Sequence, residues 1–131
     1  MVTVVICLAI IVFMPILAKV PLALSMNRSG GYDNRLPRLQ QNSLSGFGAR
    51  AMAAHQNCFE AITFFAPTVL VVLALNAVTQ TTAYLCIVFV LCRLVYLVCY
   101  WLDYHVARSV FWAIGTVTII AHYGILLSVL I

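Results

Sequence analysis

Residues 61–78 form an almost wholly apolar run, and the stretch just before them, Arg50 to Glu60, carries Arg50, His55, Gln56, Asn57 and Glu60. Hydrocarbon of that length must be buried, and a helix is the one local structure that pairs all of its own backbone groups while doing so. The polar residues ahead of it are then fixed in place on the same helix. At about 100° per residue, Arg50, Asn57 and Glu60 fall within an arc of roughly 80°, whereas His55 and Phe59 point the other way. A cation, an amide and a carboxylate thus share one stripe. Ionisable groups at membrane depth are costly to keep, so the stripe reads as a site.

The rest of the chain repeats the apolar theme. Val2 to Val20 is nearly unbroken hydrocarbon, long enough to cross a core about 30 Å thick. Lys19 follows that run, no Lys or Arg precedes it, and the run is too long for the core of a signal peptide, so it is read as a span. Pro15 is expected to weaken the helix near Ile11, and Pro67 to do so beyond Glu60. With 65% hydrophobic and only 8% charged residues, the chain is placed among polytopic membrane proteins. The expected fold is all-α: one domain, 1–131, a four-transmembrane-helix bundle with spans at about 2–26, 47–78, 82–102 and 106–130. Thr79 to Thr82 is read as a tight uncharged turn, and Gly115 and Gly124 as points of close helix approach.

Residues 27–46 form the one long polar loop, in which Arg28, Arg35 and Arg38 oppose Asp33 alone. The positive-inside rule makes this loop cytoplasmic and, with four spans, both termini extracytoplasmic. Seven Lys and Arg against three acidic residues are too few and too dispersed for a nucleic-acid surface. The five cysteines, at 7, 58, 86, 92 and 99, have neither disulfide nor metal-ligand spacing; no metal is expected. His122 lies toward the opposite end from the polar loop and is read as a packed histidine.

Arg93, Tyr96, Tyr100 and Tyr104 draw a second polar seam along the third span. Four crossings then gather Lys19, Arg50, Asn57, Glu60, Arg93, Tyr96, Tyr100 and Arg108 in the cytoplasmic half of the bundle. Such an inventory suits a small anion that also carries an ammonium group: arginine grips a carboxylate through two parallel bonds, and Glu60 answers the ammonium. A cation beside a thiol favours thiolate, a role placed on Arg108. Two other readings remain open on physical grounds. Glu60 with Arg93 or Arg50 is a buried pair that sets helix register, or the carboxylate serves a proton-coupled exporter, against which the arginines count.

The segments Arg50-Ala-x-x-Ala-His-x-Asn-x-x-Glu60, Tyr32-Asp-Asn-Arg-x-Pro-Arg38, Arg93-x-x-Tyr96-x-x-x-Tyr100 and Arg108-Ser-x-x-Trp112 together resemble the MAPEG family, membrane-associated proteins in eicosanoid and glutathione metabolism, and its bacterial branch most closely. The resemblance spans essentially the whole chain. It implies a homotrimer of four-helix protomers in the bacterial inner membrane, with glutathione as co-substrate in clefts between subunits that open to the cytoplasm. It further implies transferase or peroxidase activity on lipophilic electrophiles or lipid hydroperoxides. Arg50, Asn57, Glu60, Arg93, Tyr96 and Tyr100 would contact glutathione, with Lys19 a further contact, and Arg108 would be the catalytic residue that stabilises the thiolate. Ala53 stands where glutathione-using members commonly have another arginine, Ala61 where tyrosine often follows the glutamate, and Thr63 where many have proline. Arg108 matches only with a one-residue shift. The alternative implied by the same resemblance is a non-catalytic member that binds lipid or acts as a scaffold.

Overall fold

A computed structural model describes residues 1–131 as five helices: α1 (Val2–Arg28), α2 (Pro37–Asn42), α3 (Gly46–Ala74), α4 (Gln80–Leu102) and α5 (His105–Leu130). The four long ones are each apolar and long enough to cross a membrane, and the protein is an integral, multi-pass, all-α membrane bundle.

α1 lies along α3, and α4 lies along α5; α4 also touches both α1 and α3, and α3 touches α5, which joins the two pairs. The buried residues of α1, Val4, Cys7, Ile11, Met14, Ala18, Leu22 and Met26, recur at three- and four-residue steps, one helical face. Facing them, α3 buries Ala51, Ala54, Cys58 and Ala61, whose small side chains allow the two backbones to come close. Further along, Phe65 stacks on Phe89 of α4 with ring centroids 4.5 Å apart, closing the middle of the core. α5 is held by a sparser seam, Gly115, Thr118, His122 and Leu126. Gly115 faces Phe89 and Cys92, as a close approach requires, whereas Gly124 borders open space and serves no helix contact.

Both Pro15 and Pro67 lie inside continuous helices. The connection between α3 and α4 falls earlier than the Thr79–Thr82 turn expected from sequence: α3 stops at Ala74, and residues 75–79 make the link. Asn76 takes a left-handed conformation (φ 52°), and the Ala77 N–H reaches back to Val72 O at 2.9 Å, a helix-ending pattern that asparagine tolerates. The threonines start the next helix instead. The Thr82 N–H donates to Thr79 Oγ1 (3.2 Å) and the Thr79 N–H to Thr82 Oγ1 (2.8 Å), a reciprocal cap that satisfies two otherwise orphaned donors.

The polar loop is not wholly irregular either. Pro37 pre-sets the first turn of α2, and Gln40 fastens the loop by donating to Met26 O (3.1 Å) and Gly31 O while accepting from the Asp33 N–H (3.0 Å). At the same end, the α4–α5 connection is only Asp103–Tyr104, with Asp103 left-handed (φ 64°) and the Tyr104 N–H bonded to Cys99 O (2.9 Å). All the Lys, Arg, Asp and Glu residues therefore lie on the loops of one end or on the spans leading from it, while the link at 75–79 carries no charge.

Candidate functional site

The stripe on α3 and the seam on α4 meet through one hydrogen bond. The Tyr96 hydroxyl donates to Asn57 Oδ1 at 2.8 Å, and Asn57 Nδ2 donates to Ala53 O at 2.9 Å, so both ends of the amide are fixed. From Tyr96 the contacts run outward toward the loop end. Tyr100 meets Tyr96 edge to face (centroids 5.3 Å), and the Arg108 guanidinium of α5 lies 4.3 Å from the Tyr100 ring centroid. Three helices thus contribute to one connected row, Asn57, Tyr96, Tyr100 and Arg108. A guanidinium over an aromatic face is held by the ring quadrupole while its N–H groups remain free to donate.

Arg50, at the loop end of α3, reaches Asp103 across the mouth of this row (Nη1 to Oδ2, 3.3 Å). Asp103 is exposed and Arg50 half-buried, so the pair contributes little. The register-fixing pair that the sequence allowed, Glu60 with Arg50 or Arg93, does not form: Arg50 bonds Asp103, and Glu60 has no cation within 4 Å. Glu60 is instead exposed on the flank of the protomer, one turn before Phe64. A carboxylate on an apolar flank requires a cover other than hydrocarbon.

Arg93 is placed differently. It is 5% exposed, about 14 Å along the axis from the end of α4. Its guanidinium lies 5.1 Å from the Phe89 ring and 5.4 Å from the Tyr96 ring, and makes no hydrogen bond or ion pair; the buried Nε has no partner at all. It borders a cavity of about 330 Å³ between α3 and α5, walled by Phe64, Trp112, Thr116, Ile119 and Ile120. Lys19 stands apart from all of these. It sits in a groove between α1 and α3 with His55 and Phe59, 6.0 Å from the Tyr32 ring. One protomer therefore joins Arg50, Asn57, Arg93, Tyr96, Tyr100 and Arg108 but leaves Glu60 and Lys19 on its outer faces.

The MAPEG family model matches residues 3–128. The chain belongs to the MAPEG family. No curated protein and no solved structure matches it. MAPEG proteins as a group act on glutathione and lipophilic substrates. Two features were not foreseen from this MAPEG sequence. Asp103 was read only as turn, although its position three residues after Tyr100 puts it over the same face. The wall residues Phe64, Trp112, Ile119 and Ile120 read as ordinary span hydrophobics, and no sequence signal marks them.

The donors fit a tripeptide thiol in kind. Arg50 and Arg108 offer forked N–H donors to carboxylates, Tyr100 and Tyr96 offer hydroxyls, and Glu60 offers an acceptor for an ammonium. Cys58 is not available as an alternative thiol, since it is buried and donates to Ala54 O (3.3 Å).

Proposed function

We propose that this protein is a glutathione-dependent transferase, with peroxidase capacity, acting at the membrane on lipophilic electrophiles or lipid hydroperoxides. The observation that carries the reading is the row Asn57, Tyr96, Tyr100 and Arg108, drawn from three spans of a MAPEG chain and ending on a cation whose donors are free. A carboxylate of glutathione would take Arg50 from Asp103, Asn57 and the tyrosines would orient the peptide, and Arg108 would hold the sulfur as thiolate. The role of Arg108 is electrostatic: it stabilises the anion formed when the thiol proton leaves to water. In transfer, the thiolate forms a C–S bond and the leaving group departs with its electron pair. In peroxide reduction, the thiolate attacks the terminal peroxide oxygen, the O–O bond breaks and the lipid alkoxide leaves, taking a proton from water; a second glutathione converts the resulting sulfenic acid to disulfide and water.

A homotrimer completes the site in this reading. Glu60 is exposed on one apolar flank of the protomer and Lys19 is half-buried in a groove on another, and association would cover each. The loop end is placed in the cytoplasm, where glutathione is found, with the termini outside.

The test is a glutathione titration in detergent read by thiolate absorbance, alongside conjugation of an aryl halide. Wild-type protein should show both signals. Arg108→Ala should still bind glutathione, by calorimetry, but lose the absorbance. Absence of both signals in the wild type overturns the enzyme reading.

A non-catalytic, lipid-holding member is the second reading, favoured by Ala53, Ala61 and the apolar wall of the α3–α5 cavity. It expects lipid, and not glutathione, to raise the melting temperature. A glutathione-dependent rise that Glu60→Gln abolishes would argue for the enzyme.

A further inference from the structure

We propose that Glu60 of one protomer docks into the groove between α1 and α3 of the next and pairs there with Lys19, so that a ring of three such pairs fastens the trimer. The occupant of the groove is thus a second copy of this chain. The inference rests on the homotrimer reading, whose contact it assigns, and it needs no glutathione.

The chain has three acidic residues, and two of them are engaged inside the protomer. Asp33 Oδ1 accepts the backbone N–H groups of Arg35 (2.8 Å) and Leu36 (3.4 Å), and Asp103 holds Arg50. Glu60 remains, exposed on an apolar face with no cation within 4 Å. The cations of the spans divide in the same way. Arg50 is paired, Arg108 lies over Tyr100, and Arg93 is enclosed by its own Phe89 and Tyr96. Lys19 is left, in a groove of about 420 Å³ whose walls include Pro15, Ile16, Val20, His55 and Phe59, with no acid among them. Each of the two is a charge at membrane depth with no answer in its own protomer, and an isolated ion in hydrocarbon is costly.

Depth decides whether they can meet. A rotation axis along the membrane normal keeps every residue at one depth in all copies, so only groups at matching depths touch across the interface. Phe59 lines the Lys19 groove, and Glu60 is the next residue of the same helix, about 1.5 Å further along its axis. The carboxylate of one copy therefore arrives at the level of its neighbour's groove. Because groove and carboxylate lie on different flanks of the protomer, docking one on the other is a heterologous contact, the kind that generates rings. In the glutathione reading, the ligand ammonium then meets a carboxylate already matched to a lysine, and one ammonium replaces another without a change of net charge.

The test uses full-length protein in mild detergent without glutathione, and reads subunit number by native mass spectrometry on dilution. Glu60→Lys and Lys19→Glu should each move trimer dissociation to a protein concentration at least about tenfold higher, and the chain carrying both exchanges should return toward wild type. Should an exchanged chain fail to fold, coexpressed Lys19→Cys and Glu60→Cys chains give a second readout. A short bis-maleimide should join the two into a covalent dimer that neither variant forms alone, since the five native cysteines are buried. A wild type that is monomeric throughout overturns trimer and pair together. A trimer that both single exchanges leave intact, a double exchange no better than the singles, or no joined dimer overturns the pair and leaves the trimer standing. Loss of copurified anionic phospholipid from Lys19→Glu, with the trimer unchanged, would give the groove to lipid and equally overturn the pair. Failure of the thiolate titration touches none of these readouts.

Discussion

Among the buried polar side chains on the α4–α5 side of the bundle, His122 and Arg93 are treated in opposite ways. His122 is wholly buried, with Nδ1 2.8 Å from Thr118 O and Nε2 3.2 Å from Thr82 O and 3.6 Å from Cys86 Sγ. A neutral ring has one N–H, so donation from Nδ1 to Thr118 O leaves Nε2 to accept from the Cys86 thiol. Every polar atom of that ring has a partner within the chain. Arg93, nearly as buried, has two aromatic faces and an empty cleft. The first is a finished piece of structure that ties α5 to α4. The second is a charge with no hydrogen bond or ion pair within the protomer.

Substitutions sharpen or break that contrast. The largest effect is expected at Arg108→Ala, where loss of the cation nearest the proposed thiolate should lower turnover about a hundredfold or more, as for other electrostatic stabilisers of developing charge. Initial rates with saturating glutathione check it. His122→Ala removes a buried ring together with its bond to Thr118 O and the acceptor of the Cys86 thiol, and should destabilise the protein by about 2–4 kcal/mol, read from denaturation in detergent. Arg93→Met should behave differently: replacing an unpaired buried cation by an apolar side chain of similar length should leave stability unchanged or raise it. A loss as large as that of His122→Ala would abolish the distinction drawn here. Tyr96→Phe deletes the hydroxyl on Asn57 and should cost about 1 kcal/mol, with weaker glutathione binding by calorimetry. Asp103→Asn comes last, with a stability change under about 1 kcal/mol because the Arg50 pair is exposed. Its glutathione affinity should hold or rise, since the ligand no longer competes for Arg50.

Much of the architecture could be read from periodicity and length. Four apolar runs gave four spans, and helical spacing gave the polar stripe on α3 and the polar seam on α4. Helix ends were harder. Thr79-Gln-Thr-Thr82 looks like a turn by composition, and only the reciprocal bonding of Thr79 and Thr82 reveals it as a helix start. At the site, helical angles set Asn57 on one stripe with Arg50 and Glu60, and the Tyr96 hydroxyl reaches it there. The angle of a residue around its helix does not specify which neighbour lies there or how far away. Glu60 shares the arc of Asn57, yet one further turn carries it past the α4 contact to the open flank. Arg93 was recognisable as a charge in need of a partner, but the cleft beside it is made by ordinary hydrophobic residues of two other helices.

The uneven attachment of α5 has a mechanical consequence. Its buried residues begin at Gly115, so the stretch from His105 to Ile114, which carries Arg108, has no side chain sunk into the core. That arm is tied to α4 by the Asp103–Tyr104 corner and by the Arg108 guanidinium over the Tyr100 ring. Small swings of that arm would be amplified at Arg108, which makes the cation the readiest part of the row to adjust to an incoming guest.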